Sequence, residues 1–245
     1  MNRFLTGAAT LAALLSSASF AWAQTDEIVV TGTRIDRFQD EEVPAVFLKV
    51  RPDFVTDRLI LINDAREDAD RGRDLMRTLD TVMSAARRRR DIELSAFKVF
   101  EDDASYEETV FVVPVPDARD DRAALIEGAG REDTDRIELL IKTPVDETLT
   151  FEAAEARLTA FADGIDGAGR TTVFNDEEYA VSVRDLQRHR TPLLQAVAGE
   201  AQRLRVAFGG GAVTVEGLED QVRYVRTDLL ELTIYFPYRL TAELN

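Results

Sequence analysis

Residues 54 to 100 read FVTDRLILINDAREDADRGRDLMRTLDTVMSAARRRRDIELSAFKVF, and the change of hydrophobic period inside this stretch decides the fold class. The first part, Phe54 to Ile62, carries Val55, Leu59 and Leu61 in loose alternation, which is strand patterning. From Asp64 to Arg90 the period becomes helical: Leu75, Met76, Leu79, Val82, Met83 and Ala86 form one apolar stripe opposite a face of Asp and Arg. Ile92 to Phe100 returns to strand composition. A strand, a long amphipathic helix and a second strand cannot bury their apolar faces alone, so the chain is expected to be an α/β (α+β) protein.

Working outward, Val43 to Val50 reads as a strand ahead of the turn residues Arg51-Pro52-Asp53. Thr109 to Val115 sits at hairpin spacing after Phe100. A helix is expected over Ala118 to Glu127, stopped by Gly128, and a strand over Ile137 to Lys142. Thr150 caps a helix whose inward residues are Phe151, Ala154, Leu158, Phe161 and Ile165. Val173 and Tyr179 to Val183 read as a strand pair turning at Asn175-Asp176. Thr191-Pro192 opens a further helix through Leu194, Val197, Ala201 and Leu204, ended by Gly209-Gly210-Gly211. A strand at Ala212 to Val215 follows. Leu229 to Leu240 then reads as one long strand, with Leu230, Leu232, Ile234, Phe236, Tyr238 and Leu240 on one face and Pro237 marking an edge or bulge. Strand, helix and strand recur at 179 to 215 without a shared residue pattern. The expected body is therefore antiparallel or mixed sheets packed with long amphipathic helices, in two lobes.

The N-terminus has the order of a cleavable export signal: Arg3, an apolar run from Phe4 to Leu15, and small residues ending in Ala21-Trp22-Ala23. Residues 1 to 23 are expected to be removed, and the protein to work in the periplasm. The apolar run is shorter than the roughly 20 residues of a spanning helix, so no membrane span is expected. The chain has no cysteine, which leaves disulfides and thiol chemistry out. Its net charge is −16, and removing the +1 of Arg3 with the signal leaves −17. So acidic a body repels phosphate backbones and anionic lipid, which argues against nucleic-acid partners.

The residues on which most catalysts rely are scarce. His189 is the only histidine, and it stands in Arg188-His189-Arg190 with no nucleophile motif beside it. The acidic runs Glu101-Asp102-Asp103 and Asp117 to Asp121 lack the spacing of a calcium loop. Asp163-Gly164-Ile165-Asp166-Gly167 reads as a helix stop. The three glycines at 209 to 211 follow a helix, whereas a phosphate loop precedes one. Arg87 to Arg90 complement a helix C-terminus and the surrounding acids. No catalytic residue, cofactor or metal site is assigned.

Two resemblances add to this reading. Arg51-Pro52-Asp53-Phe54 with Leu59-Ile60-Leu61, the helix leading to Asp91-Ile92-Glu93-Leu94, and the segments Tyr179 to Asp185 and Leu232-Thr233-Ile234-Tyr235-Phe236 together resemble the SIMPL-domain family of exported bacterial proteins. The likeness spans residues 43 to 241, although Ala45-Val46-Phe47-Leu48 stands where that family carries glycines. It implies a non-catalytic envelope protein for which a homo-oligomer is open, and it carries over no catalytic residues.

Glu27-Ile28-Val29-Val30-Thr31-Gly32-Thr33-Arg34 is similar to the TonB box region of TonB-dependent outer-membrane receptors. Three consecutive β-branched residues before a glycine, followed by the polar spacer Asp36 to Glu42, suit a tethered strand that adds to a partner's sheet edge. The chain is too short to hold such a receptor's barrel. Two readings of Glu27, Ile28, Val29, Val30, Thr31 and Gly32 stay open: docking to a TonB-type envelope protein, or an edge strand of this protein's own sheet. The expected function is protein binding in the envelope, with residues 24 to 42 as the extended segment and linker. The alternative is a periplasmic carrier of a small ligand or cation in a cleft between lobes, and a hydrolase working with carboxylates alone stands third.

Overall fold

The computed structural model describes residues 27–30, 46–101, 108–131, 133–219 and 222–242. The expected signal, most of the linker, Thr31, Gly32, Asp102 and Asp103 lie outside the described residues. In chain order the elements are β1 (Glu27–Val30), β2 (Phe47–Val50), β3 (Phe54–Asn63), α1 (Asp68–Arg87), β4 (Glu93–Glu101), β5 (Glu108–Pro114), α2 (Arg119–Ala123), β6 (Glu127–Gly128) and β7 (Asp135–Pro144). Then come α3 (Phe151–Asp163), β8 (Thr171–Asn175), β9 (Ala180–Arg184), a 3-10 turn (Leu186–His189), α4 (Arg190–Ala207), β10 (Val213–Glu216), β11 (Arg223–Asp228), β12 (Glu231–Tyr235) and β13 (Arg239–Ala242).

The protein is a mixed α/β structure built on a curled antiparallel sheet in the order β1-β9-β3-β7-β4-β5, with β6 added on β7 and β8 on β3. Strand β3 is the spine, paired with β7 over all ten residues from Phe54 to Asn63. The curl brings the two end strands, β1 and β5, alongside each other.

One face of the sheet presents Val55, Leu59, Leu61, Ile137, Leu139, Ile141, Val181 and Val183, and α1 and α3 pack on it. The expected stripe of α1 is buried throughout, and so are all five inward residues foreseen for α3. Each such Leu contributes about 1.5–3 kcal/mol by leaving water, which is what turns weak helix propensity into fixed helices. Thr150 caps α3 through its Oγ1, which accepts from the Ala153 amide at 3.2 Å. Residues of β12 and of the chain around α4, among them Leu186, Leu193, Leu232, Ile234 and Phe236, join the same core.

Several boundaries differ from the sequence expectation. The helix expected over 118 to 127 is only α2, with no buried residue to hold a longer one, and Glu127–Gly128 pairs with Asp135 and Arg136 of β7 instead. Strands β8 and β9 do not form a pair. Both run antiparallel to β3 along one edge, β9 on Phe54 to Thr56 and β8 on Leu59 to Asn63, and Asp176 to Tyr179 bulge out between them. Helix α4 follows directly on the 3-10 turn, so Thr191 lies inside it rather than at its cap. The long strand expected over Leu229 to Leu240 is two strands in two sheets: β12 is the middle of β11-β12-β2, and β13 pairs with β10. Thr233 and Tyr235, expected outside, are buried with Leu232 and Ile234 because β12 is covered on both faces. Likewise β2, on the near side of the Pro52 turn, pairs with β12 and not with β3.

Candidate functional site

The face of the curled sheet turned away from α1 and α3 holds polar groups where an ordinary core would hold apolar ones. Register places Phe54 opposite Ser182, Thr56 opposite Lys142 and Ala180, and Lys142 opposite Glu93. Because residues paired across a ladder share a face, Lys142, Ser182 and Thr56 point the same way. Strand β1 then adds its first residue: Glu27 pairs with Arg184, Val29 with Ser182, Val30 with Val181.

This register seats the Glu27 carboxylate on the buried cation. Lys142 Nζ donates to Glu27 Oε2 at 2.8 Å and Oε1 at 3.1 Å, and Ser182 Oγ donates to Oε1 at 2.7 Å. Arg184 Nε stands 3.5 Å from Oε2, and its guanidinium also bonds Glu93. Both Glu27 and Lys142 side chains are 1 % exposed. The rings and stems complete the enclosure: Lys142 Nζ lies 5.1 Å and the Arg184 guanidinium 4.3 Å from the centre of the Phe54 ring. Burial holds the Lys142 ammonium below its ordinary value, and the Glu27 carboxylate partly restores it. Thr56 Oγ1 is buried with no hydrogen-bond partner among the described residues.

A buried pair of this kind is weak evidence for stability, since desolvation offsets its attraction, but removing one partner costs about 3–5 kcal/mol because the other charge is stranded. The pair therefore acts as a fastener: with Lys142 in place, loss of the carboxylate at the first position of β1 strands the buried ammonium. Of the residues expected to dock a partner, the structure places Glu27, Ile28, Val29 and Val30 in β1, with Glu27 buried and Val29 and Val30 half-buried. Lys142, Ser182 and Arg184 were not singled out in the sequence, since no local pattern joins positions 115 residues apart.

A second polar feature lies across the sheet. Asp57, 1 % exposed, organises the bulge between β8 and β9: its Oδ2 accepts from Asn175 Nδ2 at 2.6 Å and from the Glu177 amide at 3.3 Å, and its Oδ1 from the Arg58 amide at 2.8 Å. Burial raises the Asp57 carboxyl above its ordinary value although these bonds oppose the shift. Glu177 adopts φ 60°, the left-handed region, at the crest of the bulge. Between this bulge and α3 lies an open groove of about 680 Å³, lined by Phe151, Glu152, Glu155, Thr159, Asp163 and Tyr179 among others. The Thr159 and Tyr179 hydroxyls meet at 2.6 Å at its floor.

The remaining candidates find ordinary partners. His189 Nε2 accepts from Arg188 Nε at 3.0 Å, and burial followed by the Arg188 charge holds its imidazole below its usual value. Arg87 pairs with Asp117 and Arg89 with Asp91. Gly209 and Gly210 take positive φ just after α4. Among the described residues, no three of His, Cys, Asp or Glu are placed to hold a metal ion, and no helix is long and apolar enough to cross a membrane. The chain matches no protein-family model, no curated protein and no solved structure.

Proposed function

We propose that the chain is an exported cell-envelope protein that works through protein contacts and not by catalysis, with a SIMPL-like two-lobed body and the segment from Glu27 to Gly32 as its docking element for a TonB-type partner. The observation that carries this reading is that Glu27–Val30 is already an extended strand at the end of a sheet, on a four-residue ladder to β9 with the Glu27 carboxylate seated on Lys142 and Ser182. Addition to a partner's sheet edge uses the same backbone groups and the same conformation, so docking exchanges one ladder for another. Against catalysis stands the enclosure of Lys142, Ser182 and Glu27, where no substrate reaches the reactive atoms. Titration of a peptide spanning Asp26 to Arg34 into a TonB C-terminal domain, followed by NMR, tests the docking. Saturable shifts along one strand edge are expected, and a spectrum unchanged at millimolar peptide refutes it.

A second reading rests on the groove beside α3. Its rim carries Glu152, Glu155, Asp163 and Glu177 around the Phe151 and Tyr179 rings, a lining suited to a small organic cation. In that reading the protein is a carrier. A rise in melting temperature with an added alkylammonium ligand, lost in Glu155→Gln, supports it; no rise eliminates it.

A further inference from the structure

The groove between α3 and the bulge at 176 to 179 has a floor whose hydrogen bonds run in one direction. Asp57, 1 % exposed, sets it: the carboxyl takes N–H donors from the Arg58 amide at 2.8 Å, the Glu177 amide at 3.3 Å and Asn175 Nδ2 at 2.6 Å. The Asn175 amide is thereby fixed with its nitrogen towards Asp57, and its other N–H donates to the Tyr179 hydroxyl at 3.3 Å. A hydroxyl has a single proton. With its oxygen accepting from Asn175, Tyr179 donates that proton to Thr159 Oγ1, 2.6 Å away. Thr159 keeps its own. In α1, Thr78 and Thr81 give theirs to a carbonyl one turn back, but Thr159 makes no such bond among the described residues. A carboxylate in the core thus holds an O–H donor ready at the floor of the groove.

The walls favour a cation. Glu152, Glu155, Asp163 and Glu177 line the groove, and none forms an ion pair among the described residues, although Asp176 and Glu178 on either side of Glu177 both pair with Arg58. The Phe151 ring already holds the Arg226 guanidinium 5.3 Å from its centre, and it meets the Tyr179 ring edge to face at 6.4 Å. The ring left for an incoming cation is that of Tyr179. Because the hydroxyl of this same ring bonds Thr159, a cation over it and the Thr159 proton lie within reach of one small molecule.

The geometry points to Thr159 as the residue that selects the ligand of this groove: a small organic ammonium ion carrying an oxygen acceptor, such as a hydroxyl, close to its cationic head. The selection rests on the carrier reading of the groove and narrows its ligand from any organic cation to a hydroxyl-bearing one. A carboxylate as the acceptor is disfavoured by the acids of the lining. Asp57 is a positioning residue, acting through the orientation of Asn175 and Tyr179 without touching the ligand. Since the groove is open, water competes for the Thr159 proton, and the preference is that of one ordinary hydrogen bond, smaller than a closed pocket would give.

Isothermal titration of the full chain with choline and with propyltrimethylammonium, which has a methyl group in place of the hydroxyl, reads this preference. Choline is expected to bind about 2–12-fold more tightly. Thr159→Val removes the donor and brings the ratio of affinities to unity, and Thr159→Ser keeps the preference. Asp57→Asn, whose side chain can itself donate, frees Asn175 to turn and lowers the ratio, while propyltrimethylammonium binds as before; an unchanged ratio overturns the role of Asp57. Where Asp57→Asn fails to fold, the two Thr159 variants decide. Equal affinity of both probes for the unmodified chain, or a preference that survives Thr159→Val, overturns the proposal and leaves the carrier reading standing. Binding of neither probe overturns both.

Discussion

Replacing Glu27 by Ala strands Lys142 in a site where it is 1 % exposed. Taken as the loss of one partner of a buried pair, the change costs about 3–5 kcal/mol. The loss need not appear in global unfolding, however. Release of the four residues of β1 returns about 1–2 kcal/mol of backbone entropy per residue, and once β1 has left, Lys142 is open to water. The variant therefore lowers its energy by opening β1 locally, and the penalty is capped at the free energy of that opening.

Amide hydrogen exchange separates the two outcomes. In Glu27→Ala the β1 amides that face β9 lose protection by about 10²–10³-fold, since each 1.4 kcal/mol is a factor of ten. Amides of β3 and β7, at the centre of the sheet, keep most of theirs. The double variant Glu27→Leu/Lys142→Met removes both charges, and its protection returns to that of the unmodified chain or exceeds it, because well-packed apolar replacements of buried pairs are neutral or stabilising. Unchanged β1 protection in Glu27→Ala refutes the fastener.

Three further outcomes follow from other parts of the fold. Leu79→Ala and Leu59→Ala, both fully buried in the layer between α1 and the sheet, each lower stability by about 2–5 kcal/mol, read from urea midpoints at constant slope. Gly167→Ala places a Cβ 1.9 Å from the Thr171 carbonyl oxygen and destabilises by more than 1 kcal/mol, on the order of an overpacking strain, whereas Gly128→Ala meets no atom within 4 Å and stays near neutral. Acid lowers stability: Arg170 beside Asp64, Arg89 beside Asp91 and Thr148 beside Asp146 hold those carboxyls below the ordinary 3.8, and Lys49 holds Glu231 below 4.5. Their contribution is complete above the unfolded values and is lost as pH falls through the folded ones, while Asp57, raised by burial, works the other way. A urea midpoint that does not fall between about pH 6 and pH 3 at low salt refutes this balance.

The parts of the fold legible in the sequence are those whose burial follows a local period. Helix α1 declares itself because its buried face is a single stripe, and α3 because Thr150 caps a run with Phe151, Leu158 and Phe161 on one side. Strand β12 misleads for the opposite reason. The alternation from Leu230 to Leu240 is real in the sequence, but Thr233 and Tyr235 are buried as well, and the chain breaks around Pro237, whose carbonyl oxygen approaches Gly217 so closely that a Cβ there would stand 2.5 Å away. Strand β11, Arg223–Asp228, escapes notice since its polar composition, RYVRTD, reads as a loop until β12 pairs with it. The bulge at 176 to 179 looks like a turn because Asn and Asp favour both, and what decides is the buried carboxylate of Asp57, 118 residues away.

The polar site is illegible for a deeper reason. In a chain with 46 acidic residues, one more Glu at position 27 carries no signal, and a single Lys within an apolar strand reads as a surface residue on a half-exposed face. What distinguishes them is the curl of the sheet, which turns the face bearing Lys142 inward and brings β1 round to it. Once that face is closed, hydration no longer screens either charge, so each fixes the position of the other. A first-position carboxylate becomes a requirement of the slot, and its first residue is what makes this short strand specific to it. The same requirement bears on the proposed docking: a partner edge that lifts β1 away must overcome the desolvated pair at Lys142.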